Sequence, residues 1–376
     1  MTERDTDLRH MQRACDLALL GLGAVEPNPT VGCVIALGDE VLAEGYHQQF
    51  GGPHAELLAL KKVPSTHKNA LKQASLYVTL EPCCHHGKTP PCVEAIIKSG
   101  VGRVVVAVRD PNPLVAGIGI RGLRDAGIVV DVGIADNQAK QQLAPYFKLV
   151  EHGAPWVIAK WAMTLDGKVA TRNRDSKWIS SEASRRIVHE LRGRVDGIVI
   201  GIGTALADDP LLTARPPGPR TATRIVLDST ARLQMDSQLA RTIGAAPVLV
   251  VVGPNTRENT LEKMQEAGLD VICSTNPSPR ERFQDLLKEL GRRGMTNILV
   301  EGGPTVMGTL FDAGFIDEVH AFIAPKLAGG VAAPTPIAGK GISVMQYAST
   351  LGRVVWKQIE QDFYLHGIVE KPIKFD

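Results

Sequence analysis

The sequence has few cysteine and aromatic residues, no excess of either charge and no long apolar run. Six of its 376 residues are cysteine and 5% are aromatic, so a disulfide scaffold is not expected. Lys and Arg total 42 against 40 Asp and Glu, a net charge of +2, which argues against a protein that coats nucleic acid. No apolar run reaches the roughly 18 residues of a membrane span. The charged, amphipathic start also lacks the apolar core of a signal peptide. We therefore expect a cytoplasmic protein that binds neither nucleic acid nor a membrane.

The length and the apolar periodicity predict two α/β domains. A chain of this length divides into about two domains, and Gly and Pro in residues 151–155 mark a boundary. We predict domains over 1–150 and 154–372. Strands alternate with helices in both, which favours a largely parallel sheet. The strand-rich end, 353–370, predicts antiparallel strands with Asp362 at a turn.

The same periodicity gives approximate bounds for the elements. The predicted strands are 30–37, 40–46, 76–80, 102–108 and 128–133 in the first domain, and 157–164, 197–201, 224–228, 247–253 and 297–303 in the second. The predicted helices are 54–63, 92–100, 119–126, 135–153 and 181–193. Outside these motifs, Cys15, Cys33 and Cys273 stand singly among apolar residues, which predicts small buried thiols.

A histidine and two cysteines form the strongest chemical pattern. His54 opens a predicted helix, Cys83 follows the strand 76–80 in a Pro-Cys pair, and Cys92 opens the next helix in a second Pro-Cys pair. One imidazole and two thiolates leave a tetrahedral zinc ion with an open position, which is typical of catalytic sites. The helix dipole also favours a thiolate at a helix N-terminus. We therefore predict one Zn²⁺ per chain, bound by these three residues.

Glu56 is the predicted general acid and base. Zinc lowers the pKa of bound water toward ~7, and Glu56 lies two residues after the histidine ligand, where it can reach that water without binding the metal. Zinc nucleobase deaminases share this chemistry, with a pattern of H-x-E followed by P-C-x-x-C.

The spacing between the cysteines departs from that pattern. Eight residues, 84–91, separate Cys83 from Cys92, where the pattern has two. The spacer holds three alternative ligands, which are less favoured than Cys92: Cys84, His85 and His86. A solvated loop with incidental cysteines is the alternative for the whole motif. The two Pro-Cys pairs in a strand–helix context favour zinc.

Three segments, 26–32, 54–56 and 81–92, resemble the bifunctional riboflavin-biosynthesis deaminase–reductase family, whose long spacer also ends in T-P-P-C. The resemblance extends over nearly the whole chain. It implies a cytidine-deaminase-like three-layer α/β/α domain followed by a dihydrofolate-reductase-like α/β domain. It also implies deamination of 2,5-diamino-6-(5-phosphoribosylamino)pyrimidin-4-one. NADPH would then reduce the ribosyl group of 5-amino-6-(5-phosphoribosylamino)uracil to a ribityl chain.

The resemblance also implies substrate contacts near the zinc. Asn28 and Lys88 are expected to contact the pyrimidine or the ribose phosphate, although Lys88 alone would be interpreted as a solvated loop charge. Residues 110–113 and 116–119 resemble another family loop near the substrate. Ile118 stands where family members usually carry Lys or Arg, so a phosphate contact is not expected there.

A glycine turn marks the second domain. Glu301, Gly302 and Gly303 follow a strand and precede a helix, which allows close backbone approach and offers a helix N-terminus to a phosphate. A Gly-Gly-Pro turn alone is a weak signal. The turn is not the G-x-G-x-x-G fingerprint of a Rossmann domain, so it predicts a different nicotinamide-binding fold.

Segments 160–168, 176–180 and 206–215 resemble the reductase motifs of the family. Carried over, they imply that Ser176, Arg192, Leu212, Arg215 and Glu301 bind the substrate. The implied NADPH-binding residues are Ala162, Trp178, Thr204, Asp208, Ser229, Gly303, Pro304, Thr305, Val306, Met307, Gly308 and Thr309. The two arginines suit a bidentate phosphate, with a surface ion pair as the alternative. Core packing is the alternative for Trp178.

Lys160 ends a strand that faces the presumed cleft, and we expect it to polarise or orient the substrate. The adenosine ribose is expected near Asp228 and Ser229, with Arg224 or Arg232 assisting a 2′-phosphate. Asp228 would repel that phosphate unless it were turned away, and an acidic residue there often marks NAD in Rossmann folds. The family resemblance nevertheless favours NADPH.

Two other functions were weighed against this one. A nucleic-acid deaminase of the tRNA type, fused to an unrelated oxidoreductase, would need a basic, aromatic-rich groove, which the composition disfavours. A structural zinc module would need four protein ligands and no adjacent Glu. We expect small-molecule substrates, no zinc ligand beyond residues 151–155, and a homo-oligomer in which a dimer is favoured.

Overall fold

The computed structural model describes residues 2–85 and 90–370 and forms two compact units, Met1–Gly153 and Ala154–Asp376. Gly153 ends the last helix of the first unit in the left-handed conformation, with φ 63°. Across the described part of the chain, no helix has both the length and the apolarity needed to cross a membrane.

The first unit is a five-stranded sheet between two helical layers. Its helices are α1 (Glu3–Leu19), α2 (Ala55–Lys62), α3 (Cys92–Ser99), α4 (Ile118–Asp125), α5 (Asp136–Gln142) and α6 (Ala144–His152). Its strands are β1 (Gly32–Leu37), β2 (Glu40–Tyr46), β3 (Ser75–Leu80), β4 (Arg103–Val108) and β5 (Val129–Val132), and a 3₁₀ segment covers Ser65–Gln73. Alternate strand residues pack in two cores: one face packs against α2, α3 and α4, and the other against α1 and α5. This layering confirms the predicted three-layer α/β/α class.

The first sheet is mixed, so the prediction of a largely parallel sheet is wrong for this unit. The strand order is β2-β1-β3-β4-β5. The pairs β1–β2 and β1–β3 are antiparallel, whereas β3–β4 and β4–β5 are parallel. A tight hairpin reverses the chain after β1, while α3 and α4 supply the long crossovers that parallel neighbours need.

Two local features follow from single residues. The predicted helix over 135–153 is broken into α5 and α6 at Leu143, just before Pro145, because a proline in a helix interior removes a hydrogen bond and clashes with the preceding turn. Gly32 has no room for a side chain, since a Cβ there would lie 1.9 Å from the carbonyl oxygen of Ala14. The glycine therefore lets α1 lie directly against β1.

The second unit is a nine-stranded sheet with helices on both faces. Its helices are α7 (Glu182–Arg192), α8 (Ile202–Asp208), α9 (Gln238–Arg241), α10 (Glu258–Glu266), α11 (Pro279–Arg292) and α12 (Pro304–Ala313), with a 3₁₀ segment at Met345–Tyr347. Its strands are β6 (Trp156–Thr164), β7 (Gly197–Gly201), β8 (Thr223–Leu227), β9 (Val248–Val252), β10 (Asp270–Cys273), β11 (Asn297–Gly302), β12 (Glu318–Ala324), β13 (Leu351–Ile359) and β14 (Asp362–Val369). The order is β10-β9-β8-β7-β11-β6-β12-β14-β13, and only the pairs made by β14 are antiparallel.

The structure of this unit differs from the prediction at three points. Strands β10 and β12 are present, although the sequence pattern does not predict them. Asp362 is the first residue of β14 instead of a turn residue, and its buried carboxylate accepts a hydrogen bond of 2.7 Å from the backbone N–H of Ser181. Cys273 is exposed, because β10 lies at the edge of the sheet.

A buried carboxylate joins α1 to the first sheet. Asp7 accepts two hydrogen bonds of 2.7 Å from Arg103 on β4 and one of 2.8 Å from the Tyr77 hydroxyl on β3. Burial alone would raise the pKa of Asp7, but the hydrogen bonds and charge of Arg103, with the Tyr77 hydroxyl, lower it overall.

We predict that Asp7→Asn lowers the free energy of unfolding by about 1–3 kcal/mol at pH 7, because Arg103 loses a buried partner. The carboxylate stabilises the fold above its unfolded pKa of about 3.9 and loses that effect as the pH falls through its lower folded pKa. The difference between the variant and the wild type should therefore shrink below about pH 4. Urea unfolding at several pH values measures this, with the exposed Asp16→Asn on the same helix as control. Equal losses in both variants would contradict the assignment.

Candidate active sites

The three predicted zinc ligands meet at one point in the first unit. His54 precedes the first residue of α2, Cys83 follows β3, and Cys92 is the first residue of α3. The Nδ1 atom of His54 lies 3.5 Å from the Sγ of Cys83 and 3.3 Å from that of Cys92. All three ligand atoms lie within 4.8 Å of one another, and both cysteines are free thiols. One nitrogen and two sulfurs are a donor set that Zn²⁺ prefers.

Hydrogen bonding favours the thiolate form of Cys83. Its sulfur lies near the Cys92 thiol and His54, and accepts from the backbone N–H of Cys92 at 3.4 Å. These contacts, led by the Cys92 thiol, lower the pKa of Cys83 to about 4 against the effect of burial. A thiolate is the form of cysteine that binds a metal. The contacts with Cys83 also raise the pKa of Cys92 and of His54, so Cys83 is the ligand whose thiolate these contacts favour.

Glu56 lies beside these ligands in the first turn of α2 and is only 3% exposed. Burial raises the pKa of its carboxyl group, with a smaller opposing effect from His54. A buried carboxyl of this kind, next to a metal site, suits proton transfer near neutral pH.

The ligands open onto a cavity of about 310 Å³, a size that suits a small molecule. Asn28 lines it, as predicted for a substrate contact, and its side-chain amide lies 3.2 Å from the Nε2 of His47. Asp110 also lines the cavity, and its carboxylate accepts a hydrogen bond of 3.1 Å from the Tyr146 hydroxyl. The sequence analysis does not identify His47 or Tyr146, because each stands alone in the sequence and reaches the cavity only through the fold.

The structure describes only some of the predicted spacer residues. Lys88 and His86 lie outside the described residues, whereas Cys84 and His85 lie within them. Cys84 is not part of the ligand group, and its sulfur lies 3.6 Å from the carbonyl oxygen of Leu114. His85 lines the cavity. Ile118 is 47% exposed and supplies no charge.

A buried carboxylate also anchors the loop beyond the cavity. Glu81, directly after β3, accepts backbone hydrogen bonds of 3.3, 3.0 and 3.1 Å from Asp110, Gly117 and Ile120. It therefore fixes the segment that was expected, by resemblance, to lie near the substrate. Its position within the Glu-Pro-Cys triplet is the only sequence signal for this role.

The second candidate site lies where β6, β11 and β7 run side by side. Glu301 on β11 forms a bidentate ion pair with Arg192 of α7, at 2.5 and 2.8 Å, and its Oε2 lies 3.6 Å from the Lys160 ammonium on β6. Burial raises the pKa of Glu301, but Arg192 and then Lys160 outweigh it and lower the pKa to about 2. Burial lowers the pKa of Lys160, Glu301 opposes that effect and Arg192 adds to it, so Glu301 is the group that favours the charged form of Lys160.

This pairing limits how Arg192 could bind a phosphate, and its substrate role stays a prediction. The edge formed by its Nε and Nη2 atoms binds Glu301, so the edge that carries Nη1 is the one left for a phosphate. Arg192 and Glu301, both predicted substrate residues, also neutralise each other, because neither charge could be buried alone.

Arg215 is exposed, and its backbone N–H lies 3.3 Å from the Nδ1 of His189. Burial lowers the pKa of His189, and the nearby charges of Arg192 and Arg215 lower it further. His189 is a neighbour of the site that the sequence analysis does not identify, although it lies one helical turn before Arg192. Leu212 is buried in the core, so only its backbone could contact a ligand.

The glycine turn lies against helix α8. Helix α12 begins at Pro304, directly after Gly303, and a Cβ on Gly303 would lie 3.1 Å from the hydroxyl oxygen of Thr204. The turn therefore forms a tight cradle beside a helix N-terminus, which fits a dinucleotide phosphate. Ala162 lies on β6 and Val306 on α12.

The predicted cofactor residues do not all face this turn. Met307 is buried in the core and Gly308 packs against the backbone of Ala338. The Thr309 hydroxyl donates a 3.0 Å hydrogen bond to the carbonyl oxygen of Thr305, and Thr309 lines a separate cleft with Arg280, Asp312 and Lys340.

Trp178 is 64% exposed and the Arg185 guanidinium lies 4.6 Å from its ring centre. Core packing, the alternative for Trp178, is therefore wrong. Asp208 is half-buried and lies near Lys177, whose charge opposes the burial that raises the pKa of Asp208. Ser176 is half-buried in the same loop.

The charged side chains on and just after β8 were predicted to lie near the adenosine ribose of the cofactor. Asp228 is buried, and its Oδ2 accepts the backbone N–H groups of Arg232 and Leu233 at 2.6 and 2.8 Å, so it is turned away from solvent. Arg224 is also buried, and it donates to the Thr242 hydroxyl and to carbonyl oxygens of the surrounding loops. The expectation that Arg224 assists a 2′-phosphate is therefore wrong, since its guanidinium is buried and both Nη atoms are bonded inside the fold.

A different arginine lies beside Ser229. The Nη2 of Arg282, on α11, donates to the Ser229 hydroxyl at 3.0 Å, and its Nη1 donates to the carbonyl oxygens of Asn276 and Pro277. The sequence gives no signal for this contact, because 53 residues separate Arg282 from Ser229.

Comparison with protein families assigns both halves of the chain. Residues 4–108 match the cytidine and deoxycytidylate deaminase zinc-binding region, and residues 155–364 match the RibD C-terminal domain. The riboflavin biosynthesis protein RibD of Actinobacillus pleuropneumoniae is 40% identical over 368 residues, which cover 98% of this chain and 96% of that protein. The Escherichia coli RibD protein is 38% identical over 341 residues, with 86% and 89% covered.

Solved structures give the same result. Acinetobacter baumannii RibD superposes with a TM-score of 0.85 at 33% identity, covering 98% of this chain and 100% of that one. The diaminohydroxyphosphoribosylaminopyrimidine deaminase/5-amino-6-(5-phosphoribosylamino)uracil reductase of Thermotoga maritima superposes with a TM-score of 0.82 at 32% identity, with the same coverage.

We predict that Cys92→Ser loses one zinc ion per chain relative to the wild type, because a hydroxyl replaces one of two thiolate ligands. Cys84→Ser should keep the zinc content of the wild type, since Cys84 lies outside the ligand group. Metal analysis after dialysis measures both variants. A lower zinc content in Cys84→Ser with the wild-type content in Cys92→Ser would show that the ligands were assigned wrongly.

Proposed function

The chain belongs to the RibD family of riboflavin-biosynthesis proteins, and on that premise we propose a specific substrate and specific residue roles for each of its two sites. Membership confirms the predicted resemblance, the two α/β domain types, and a bifunctional deaminase and reductase that uses zinc and NADPH. A tRNA-type deaminase fused to an unrelated oxidoreductase is excluded, because the second half matches the RibD reductase family.

The substrate of the first site is 2,5-diamino-6-(5-phosphoribosylamino)pyrimidin-4-one. Zinc, when bound by His54, Cys83 and Cys92, supplies Lewis acidity that makes water nucleophilic near neutral pH. Glu56 accepts the proton of the attacking water and returns a proton to the departing ammonia, which its buried position beside the ligands supports. Asn28 orients the pyrimidine from the cavity wall.

The substrate of the second site is 5-amino-6-(5-phosphoribosylamino)uracil, whose ribosyl group becomes a ribityl chain. NADPH, when bound, supplies the hydride. Lys160 orients the substrate, and Glu301 fixes the position of the Lys160 ammonium while neutralising Arg192. The exposed guanidinium of Arg215 attracts the substrate phosphate. Ser176 and the backbone at Leu212 complete the substrate contacts.

The cradle at the Gly303 turn holds the cofactor. The backbone of Gly303, Pro304, Thr305 and Val306 lies at the N-terminus of α12, where a pyrophosphate is favoured. Thr204 on α8 lies against this turn. We assign it to NADPH, together with Asp208 on the same helix, Ala162 on β6 and the exposed Trp178. Met307, Gly308 and Thr309 act only through the helix that they build.

The buried Asp228 supports a preference for NADPH over NADH. Its Oδ2 atom accepts two backbone N–H groups and its side chain is buried, so the carboxylate is turned away from solvent. Ser229 and Arg282 instead offer a hydroxyl and a guanidinium, and Arg232 is exposed in the same loop. A guanidinium suits a 2′-phosphate.

We also propose a cytoplasmic homo-oligomer, most simply a dimer. The free state of all six cysteines is that of a reducing compartment. Strand β13 lies at the edge of the second sheet and exposes apolar side chains, of which Trp356 is 62% exposed. An apolar edge strand of this kind is usually covered by a partner.

We predict that Glu56→Gln keeps zinc and loses deamination by at least about 10²–10⁴-fold, because the amide cannot carry a proton. Reduction of the deaminated substrate should be unchanged, since that site lies in the other unit. Ammonia release and NADPH oxidation measure the two steps, with the exposed Glu94→Gln as control. Near-normal ammonia release by Glu56→Gln would remove Glu56 from the mechanism, and loss of both steps would point to a folding defect.

We predict that Arg282→Ala weakens NADPH binding about 10–100-fold, the effect of losing one charge-assisted contact of about 1.5–3 kcal/mol. Binding of NADH, which lacks the 2′-phosphate, should not change. Dissociation constants from cofactor fluorescence measure both, with Arg280→Ala on the same helix as control. Equal weakening of NADPH and NADH would contradict this role of Arg282.

A further inference from the structure

A second group of metal-type ligands lies in the reductase domain, on the strand beside that of Lys160, where His320 is the direct cross-strand partner of Lys160. Glu318 and His320 alternate on β12, so their side chains lie on one face of the sheet. His366 on the neighbouring strand β14 is the direct cross-strand partner of His320. The alternation of side chains along β12 and the pairing of β12 with β14 thus bring the three residues together.

The ligand atoms converge on one point. The Nε2 atoms of His320 and His366 each lie 2.8 Å from the same carboxylate oxygen, Oε1 of Glu318. Among the described residues, two groups of three or more His, Cys, Asp or Glu residues have all their ligand atoms within 4.8 Å of one another. One is this group and the other is the deaminase zinc group.

Each of the two ligand residues on β12 also makes a hydrogen bond to an outer partner. The Nδ1 of His320 lies 2.7 Å from the Tyr364 hydroxyl. The other carboxylate oxygen of Glu318 accepts a hydrogen bond of 2.8 Å from the indole N–H of Trp156. Outer partners of this kind orient the ligands in protein metal sites. They leave the two Nε2 atoms and Oε1 as the inward-facing atoms.

The group is shielded but reachable. The side chain of His320 is 3% exposed, that of Glu318 is 15% exposed and that of His366 is 29% exposed. An ion could therefore enter past His366, which is the most exposed of the three side chains.

We propose that Glu318, His320 and His366 form a second metal site, which binds one divalent transition-metal ion of the Zn²⁺ type through two imidazole nitrogens and one carboxylate oxygen. Imidazole ligands favour Zn²⁺, Ni²⁺ or Cu²⁺ over Mg²⁺ and Ca²⁺, which take oxygen ligands. The ion ties β12 to β14, and water completes its coordination.

Metal binding requires a small opening of the group. Bonds of about 2.0–2.1 Å in a tetrahedral arrangement separate ligand atoms by about 3.3 Å, so the two 2.8 Å contacts must lengthen by about half an ångström. His366 can move away from Glu318, because it is partly exposed and only β13 lies between its strand and the sheet edge. The contact between Glu318 and His320 lengthens through a shift of the Glu318 side chain, which is 15% exposed.

The test counts metal ions in the full chain. Protein stripped by a chelator is loaded with Zn²⁺, passed over a desalting column and analysed for metal. We expect two ions per chain in the wild type, one in His366→Ala, one in Cys92→Ser and none in the double variant. His152→Ala, which removes an exposed histidine elsewhere, should still bind two. A wild-type chain that binds a single ion, or a His366→Ala chain that still binds two, would overturn the proposal.

Cobalt distinguishes loss of the site from loss of folding. In the wild type, the first Co²⁺ to fill the deaminase site should give thiolate-to-metal absorption, and the second should add visible absorption without it. His366→Ala should keep the thiolate band, which shows that the chain is folded, and lose the second signal. Tyr364→Phe should weaken the second site about 10–100-fold, as loss of an outer partner does. Unchanged affinity in both His366→Ala and Tyr364→Phe would leave the cluster as a hydrogen-bonded group without metal and refute the site.

Discussion

Parallel strands deliver helix N-termini to one edge of each sheet, and both active sites depend on that constraint. A parallel pair needs a crossover, which here is a helix, and each helix leaves its first N–H groups unpaired with a partial positive charge. In the first unit α3 begins at Cys92, and in the second α12 begins after Gly303. Thiolates and phosphates are anions, so both sites place anionic groups where the backbone already attracts them.

The two sites solve the problem of buried charge in different ways. In the deaminase domain hydrogen bonds favour the thiolate of Cys83, whereas burial favours the neutral carboxyl of Glu56, so the thiolate is the anion that a metal ion would balance. In the reductase domain Glu301 is balanced by Arg192, and Lys160 lies 3.6 Å from the same carboxylate. The first arrangement suits a metal ion, whereas the second balances its carboxylate within the protein.

Local motifs made the deaminase site predictable and left the reductase site only partly so. His54, Cys83 and Cys92 lie at the starts of helices or just after a strand, so the short pattern fixes their positions. Arg192 and Glu301 are separated by 109 residues, and no periodicity reveals that they neutralise each other. Arg224 was predicted to be available to a phosphate because the apolar sequence of its strand gives no sign that the arginine is buried. The loops around Thr242 enclose its side chain completely.

The sequence by itself determined the two α/β domains, the zinc ligands with Glu56 and the family, because these rest on periodicity and on motifs confined to a few residues. Only the tertiary structure decided the mixed order of the first sheet, the inward turn of Asp228, the contact of Arg282 with Ser229 and the cluster of Glu318, His320 and His366. Each of these depends on which strands become neighbours, and strand neighbours are set by packing of the whole sheet. A sequence pattern records the period of each strand but not the identity of the strand beside it.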